Sequence, residues 1–186
     1  MIDGSPRIDS GSKGLFRTFI AGPGATLTDA FRRLREDAGR THPSVTVPAR
    51  GLLAASIQIP PEEGEGSWEL INIRDEVFVV VTNCRYIDAR LERVSPEDFI
   101  EFHFTLTGPV QLEATGTAHL DLRDPLMVVC KQGSGADYTV WCGPGPRRLV
   151  SVYFREKFLT DVVGILPASD GSILGEILQT LPGRIA

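Results

Sequence analysis

Apolar and polar residues alternate along much of the chain from residue 52 to residue 154, and the segment DFIEFHFTLTG shows the pattern most clearly. Apolar side chains at 100, 102, 104 and 106 alternate there with Glu101, His103 and Thr105. A period of two is typical of a β-strand with one dry face and one mixed face. Gly and Pro residues separate several such segments, so we predict about nine short strands. They cover residues 52–59, 68–73, 77–84, 98–107, 110–113, 118–122, 126–131, 138–142 and 148–154.

Short strands at such close spacing predict a mainly β fold. A cupin-like jelly-roll barrel is the natural closure, because two packed sheets hide most of the strand edges. Pro43 and Pro48 exclude a central strand between residues 41 and 51, which we expect to form a loop or an irregular edge strand. We place the barrel, with a helix preceding it, in residues 16–154. Residues 1–15 are polar, and we expect them to be disordered.

Helical periodicity occurs on both sides of the strands. Before them, apolar residues at 27, 30, 31, 34 and 38 follow a helical spacing, and Thr26 with Asp29 resembles a capping box. After them we predict two C-terminal helices. The first has an apolar face formed by Phe158, Leu159, Val162 and Val163. The second carries a narrow apolar stripe formed by Ile173, Leu174, Ile177, Leu178 and Leu181. Such a stripe packs on its own barrel or pairs with its twin in a dimer, and both readings stay open.

Composition and charge narrow the function classes. The chain of 186 residues is 42% hydrophobic and carries a net charge of −5, as in an ordinary globular protein. Its basic residues are scattered, and the densest group is interleaved with acidic residues, so direct nucleic-acid binding is not expected. No apolar run is long enough to span a membrane. Three separated cysteines without zinc-type spacing indicate reduced, buried thiols in a cytoplasmic protein.

Three segments together resemble the N-terminal effector-binding domain of AraC-type transcription regulators. They are DFIEFHFTLTG, the strands around LRDPLMVV, and RRLVSVYFREKFL, which contains Tyr153, Phe154 and Arg155 and leads into the helices. The resemblance implies a cupin-like barrel that binds a small effector, followed by a helical dimerisation segment, here residues 155–186. It also implies a helix-turn-helix domain, which we expect downstream of Ala186. The chain would then act on DNA only through that missing C-terminal domain.

The resemblance also implies which residues line the effector pocket. The strand that closes the barrel would place Leu149 and Ser151 inward, and the strand in DYTVWCG would contribute Tyr138 and Trp141. Leu149 and Ser151 are smaller and less polar than a sugar-stacking site requires, so we expect an effector of low polarity. Pockets of this kind are mostly apolar, with a few polar groups that orient the ligand.

Three further residues are candidates because of their own chemistry. Arg85 would lie either at the barrel mouth, as an anchor for a carboxylate, or on the surface beside Asp88 or Glu92. Glu101 and His103 share one strand face because they are two residues apart. With one remote partner they would bind a metal ion. Without it His103 is a hydrogen-bonded histidine that faces the barrel interior or a sheet surface, which is the interpretation we prefer, and we predict neither a metal nor a cofactor.

These observations predict a ligand-sensing and dimerisation domain of an AraC-type regulator, without enzymatic activity. Its predicted partners are a small-molecule effector and a second copy of the chain. The sequence contains neither a GxSxG nucleophile motif nor a phosphate-binding loop. The alternative is a stand-alone cupin-type enzyme acting on a small metabolite, in which Glu101 and His103 would be the acid/base or ligand pair.

Overall fold

The computed structural model describes residues 26–37, 45–94, 97–108, 110–114, 120–122, 126–132, 138–165 and 175–176. Two helices are bounded within these ranges, α1 (Leu27–Asp37) and α2 (Glu156–Asp161). The strands are β1 (Val45–Ala49), β2 (Leu52–Gln58), β3 (Gly64–Ile73), β4 (Val77–Tyr86), β5 (Arg90–Val94), β6 (Phe99–Thr107), β7 (Val110–Ala114), β8 (Leu120–Leu122), β9 (Leu126–Lys131), β10 (Tyr138–Cys142) and β11 (Gly145–Arg155).

The strands form two antiparallel sheets. The larger sheet has the order β1-β2-β3-β4-β11-β6-β9, and the smaller one has the order β5-β10-β7-β8. The last eight strands pair as one long folded hairpin, β4 with β11, β5 with β10, β6 with β9 and β7 with β8. Nested pairing of this kind, distributed over two sheets, is the jelly-roll topology. The predicted fold class, a mainly β cupin-like jelly roll, is confirmed.

The main hydrophobic core lies on one face of the larger sheet, which we call the inner face. Every second residue of β4 from Phe78 to Tyr86 is buried there. Helix α1 covers part of this face, and the Phe31 ring meets the Phe78 ring edge-on at a centroid distance of 5.1 Å. The Thr26 hydroxyl accepts a hydrogen bond of 3.1 Å from the Asp29 amide, which confirms the predicted helix cap.

Helix α2 packs on the opposite, outer face of the larger sheet. Leu159 is buried there with Ile100 and Val129. The prediction that Val162 and Val163 join this apolar face is wrong, because their exposed fractions are 70% and 54%. Helix α2 has only 6 residues and ends at Asp161. Both valines follow its last residue, so the helical spacing does not direct them towards the sheet.

One strand agrees with an open alternative of the sequence-based assignment, and another was not predicted. β1 is an edge strand, as the alternative for residues 41–51 allowed, and its pairing with β2 is irregular between Thr46 and Ala49, around Pro48. β5 was not predicted, because RLERV does not alternate clearly. Its pairing with β10 makes it a strand.

Several predicted features lie outside the described residues. They are the N-terminal segment 1–15 and the stripe of Ile173, Leu174, Ile177, Leu178 and Leu181. Gly175 and Glu176, within that stripe, are helical. In the part of the chain that the structure describes, no helix has the length and apolar character needed to cross a membrane.

Candidate functional site

A row of polar side chains runs along the inner face where β6 and β11 lie side by side. Glu101 is opposite Tyr153, and His103 is opposite Ser151. Directly opposite residues of antiparallel strands project from the same face of the sheet. Since Tyr153 and Ser151 are buried on the inner face, all four side chains are brought together there. We call these four residues the polar row.

Hydrogen bonds connect the members of the polar row. Ser151 Oγ lies 2.9 Å from His103 Nδ1, and the same nitrogen lies 3.4 Å from Glu101 Oε1. Gln132, which follows β9, donates from Nε2 to Glu101 Oε2 at 2.9 Å. The side chains of Glu101 and His103 are each only 12% exposed, so water screens these contacts weakly.

The environment shifts the pKa values of Glu101 and Tyr153 in opposite directions. Burial acts to raise the pKa of Glu101, but hydrogen bonds from His103, Gln132 and Tyr153 outweigh it and leave that pKa below its ordinary value. Burial and the neighbouring Glu101 carboxylate raise the pKa of Tyr153 well above its ordinary value. At neutral pH the row therefore contains an ionised carboxylate beside a neutral phenol.

Several buried polar atoms on the inner face form no hydrogen bond within the described residues. The buried atoms His103 Nε2, Thr105 Oγ1, Arg147 Nε and Arg147 Nη1 have no hydrogen-bond partner among the described residues. Thr105 is opposite Leu149, and Arg147 precedes Leu149 by two residues on the same strand. Buried polar groups in native proteins are almost always satisfied, so a local concentration of unsatisfied ones calls for an explanation.

The structure brings four of the predicted pocket residues together. Glu101, His103 and Ser151 belong to the polar row, and Leu149 is the next buried residue of β11 on the same face. Trp141 lies on β10 of the smaller sheet and is half-buried. Tyr138 begins the same strand, and its side chain lies outside the described part of the structure.

Arg85 does not join this group. Its side chain is 59% exposed, and its Nε lies 3.4 Å from Glu65 Oε1. It lines a groove of about 540 Å³ together with the exposed side chains of Asn83 and Arg148 and with the buried Arg147. The predicted surface alternative named Asp88 or Glu92 as the partner, and the observed partner is Glu65.

Sequence reasoning missed Thr105 and Arg147. Thr105 continues the alternation of Glu101 and His103, so the period of two already placed it on the same strand face. Arg147 likewise continues the alternation of Leu149 and Ser151. The signal was present, but an arginine near a strand end is normally taken as exposed.

The row offers few ligands for a metal ion. Glu101 and His103 supply one carboxylate and one imidazole. Within the described residues, no group of three or more His, Cys, Asp or Glu side chains is placed to hold an ion. His42 and His119, the other histidines, lie outside the described residues.

Comparisons with known proteins provide a likeness of fold. No family model and no curated protein matches the chain. Among solved structures, an RmlC-like cupin from Shewanella frigidimarina is similar at 11% identity, over 60% of this chain and 82% of that one, with a TM-score of 0.37. KdgF from Halomonas sp. is similar at 8% identity, over 60% of this chain and 84% of that one, with a TM-score of 0.36.

A regulator is also among these structures. The AraC-like transcriptional activator CuxR is similar at 14% identity, over 53% of this chain and 36% of that one, with a TM-score of 0.37. The chain therefore matches about a third of that protein's length. At these identities the three likenesses concern the fold and assign no function to the chain.

Proposed function

We propose that the chain senses a small molecule inside its jelly roll, as the effector-binding domain of an AraC-type transcription regulator. The observation that carries the proposal is the buried polar row together with the unused groups His103 Nε2 and Thr105 Oγ1, which have no hydrogen-bond partner in the described ranges. A buried polar atom without a partner costs about 1–3 kcal/mol. A ligand that supplies those partners would remove this cost.

The surroundings of the polar row suit a ligand of low polarity. Val128 is opposite His103, and Leu149 is opposite Thr105. Both apolar residues are buried. A mostly apolar pocket with a few orienting polar groups is the usual design of a small-molecule site.

Strand β11 supports a sensing role because it connects the proposed site to both helices. Ser151 and Tyr153 belong to the polar row. Arg155 at the end of the same strand donates from Nη2 to the Thr28 hydroxyl of α1 at 2.7 Å, and α2 starts at the next residue. A ligand that prefers one arrangement of β11 therefore biases the positions of the helices. In the proposed regulator, residues 155–186 pass that bias to a second copy and to the DNA-binding domain.

Ligand binding is tested by a thermal-shift screen against hydrophobic acids, aromatic compounds and sugars. A compound that binds the native state raises the melting temperature as its concentration increases. His103→Gln and Thr105→Val should each weaken binding about tenfold, the equivalent of about 1.4 kcal/mol. Ser67→Ala, which removes a hydroxyl bonded to Glu69 at the surface, is the control and should leave the affinity unchanged. A hit that binds both pocket variants as tightly as the wild type contradicts the proposed site.

The regulatory role requires a separate test with the natural gene product in its own cells. Chromatin immunoprecipitation should recover specific DNA sequences, and the compound identified by the screen should change their recovery. If no DNA is enriched, the regulatory role is contradicted, while ligand binding is judged by the thermal-shift result.

One observation favours a second function, a cupin-type enzyme. The Glu101 carboxylate is near the His103 ring and is fixed by Gln132 on its other oxygen. A buried carboxylate beside an imidazole is an arrangement used in general acid–base catalysis. Compounds that raise the melting temperature should be incubated with the protein and analysed by mass spectrometry. Turnover that is lost in both Glu101→Gln and His103→Gln would favour the enzyme, and unchanged compound would favour the sensor.

A further inference from the structure

Arg147 is the most deeply buried arginine among the described residues. It is 5% exposed, lies on β11 opposite Cys84, and shares a face with Leu149, Ser151 and Tyr153. Three other arginines that lie partly inside the protein each contact a carboxylate: Arg35 contacts Asp75, Arg90 contacts Glu63, and Arg155 contacts Glu97. Arg147 has no such contact within the described ranges, and its Nε and Nη1 atoms are buried without a hydrogen-bond partner.

This combination is unfavourable unless a further group is bound. A guanidinium stays protonated in proteins, so it cannot lose its charge when it is buried. Buried charges in native proteins are therefore paired with an opposite charge. Arg147 precedes Leu149 by two residues on the inner face, and Leu149 is opposite Thr105, so Arg147 lies towards one end of the surface that carries the unused atoms of Thr105 and His103.

We propose that the ligand of the jelly roll is a carboxylate and that Arg147 binds its carboxylate group. The inference rests on the proposed function, because it places the charged end of the ligand in the same pocket. With its carboxylate at Arg147, the ligand would extend past Leu149, and Thr105 and His103 would contact polar groups on its body. The carboxylate anchor expected at Arg85 is thereby assigned to Arg147.

A single negative charge suits this site better than two. The polar row contains the Glu101 carboxylate, which repels additional negative charge on the ligand. The neighbouring Leu149 and Val128 side chains cannot solvate a dianion. The planar guanidinium matches the planar carboxylate in shape and hydrogen-bonding pattern. A largely apolar monocarboxylate is therefore favoured over inorganic phosphate or a phosphate ester.

The first test needs no ligand. In protein dialysed free of small molecules, Arg147→Met should raise the melting temperature, because it replaces an uncompensated buried charge by an apolar side chain. Arg32→Met, which removes an exposed arginine paired with Asp29 away from the groove, is the matched control and should change the melting temperature little. A lower melting temperature for Arg147→Met than for Arg32→Met would show that Arg147 has a structural partner, and it would overturn the inference.

The second test uses benzoate and benzamide, which have the same ring with and without a charge. At constant ionic strength, benzoate should bind the wild type at least tenfold more tightly than benzamide. This preference should disappear in Arg147→Met and persist in Arg32→Met. Equal binding of the two probes, absence of benzoate binding, or an unchanged preference in Arg147→Met would each overturn the inference. Tighter binding of inorganic phosphate than of benzoate would overturn the assignment to a carboxylate.

Failure of this inference is distinguishable from failure of the proposed function. If an uncharged compound binds the wild type and loses affinity in His103→Gln and Thr105→Val, the sensing pocket is supported while the carboxylate is excluded. If neither charged nor uncharged compounds depend on these residues, both proposals are contradicted.

Discussion

Ser151 Oγ lies 2.9 Å from Nδ1 of His103, at the point where the two residues face each other across β11 and β6. Ser151 is 3% exposed and is surrounded by core residues on the inner face. This contact is the centre of the polar row, because His103 Nδ1 also approaches Glu101 and Glu101 is held by Gln132.

Removal of the Ser151 hydroxyl should destabilise the protein. Ser151→Ala leaves His103 Nδ1 with the longer contact to Glu101, and we expect the free energy of unfolding to fall by about 1–3 kcal/mol. Urea denaturation monitored by tryptophan fluorescence measures this change. Ser67→Ala is the matched control, because its hydroxyl bonds to Glu69 at the surface, and its effect should stay within about 0.5 kcal/mol. Equal effects of the two substitutions would contradict a buried hydrogen bond at Ser151.

Glu101 should contribute stability that depends on pH. Its pKa in the folded protein lies below the ordinary value of 4.5, so the unfolded state binds the proton more readily. The contribution is therefore fully present above that value and is lost as the pH falls through the folded-state pKa.

The measurement compares the wild type with Glu101→Gln from neutral to acidic pH. The difference in free energy of unfolding should shrink on acidification below about pH 4.5, the ordinary pKa of a glutamate side chain. Glu65→Gln, which removes a carboxylate with 77% side-chain exposure, controls for the loss of one acidic residue. A difference that stays constant over the whole range would contradict a lowered pKa at Glu101.

Arg155 should be important for the attachment of α1 to the sheet. It donates from Nη2 to Thr28 Oγ1 at 2.7 Å and from Nε to the Asp75 carbonyl at 2.8 Å, and its guanidinium lies 4.9 Å from the centre of the Phe99 ring. Lys cannot reproduce this planar set of contacts, so Arg155→Lys should lower the free energy of unfolding by about 2 kcal/mol.

Hydrogen exchange provides the readout specific to the helix. Amides of α1 should exchange faster in Arg155→Lys, and those of β4 should change less. Arg148→Lys, whose arginine donates to Asn83 on the exposed side of the sheet, is the control and should leave exchange in α1 unchanged. Unchanged protection of α1 in Arg155→Lys would contradict the attachment role.

The two apolar residues Leu159 and Val162 should respond differently to truncation. Leu159 is 5% exposed, and Leu159→Ala should cost about 2–5 kcal/mol through lost packing and a residual cavity. Val162 is 70% exposed, and Val162→Ala should change stability by no more than about 0.5 kcal/mol. Urea denaturation of both variants is sufficient. A large effect at Val162 would mean that a surface left open in the described structure is covered in solution.

Local patterns predicted the parts of the fold that depend on neighbours along the chain. The alternation around Glu101 and His103 correctly predicted β6, and the spacing after Thr26 correctly predicted α1 and its cap. β5 was missed because its sequence, RLERV, has little alternation, and its extended conformation depends on pairing with the distant β10. The end of α2 was misjudged for Val162 and Val163 because helical spacing does not specify how many turns the tertiary structure retains.

For the candidate site too, the sequence predicted some residues and only the tertiary structure identified others. The resemblance and the residue types pointed to Leu149, Ser151, Glu101 and His103, which the structure brings to one face. Arg85 and Arg147 are equivalent as residue types, and only the alternation along β11 together with the packed sheet distinguishes an exposed arginine from a buried one.

The sequence by itself determined that the chain is rich in strands, that an amphipathic helix precedes them, and that residues 101 and 103 share one strand face. Only the tertiary structure decided that β6 and β11 are neighbours, and hence that Ser151 contacts His103. The physical reason is that strand periodicity depends on adjacent residues, whereas strand pairing joins segments far apart in the chain, such as His103 and Ser151, through backbone hydrogen bonds and a shared core.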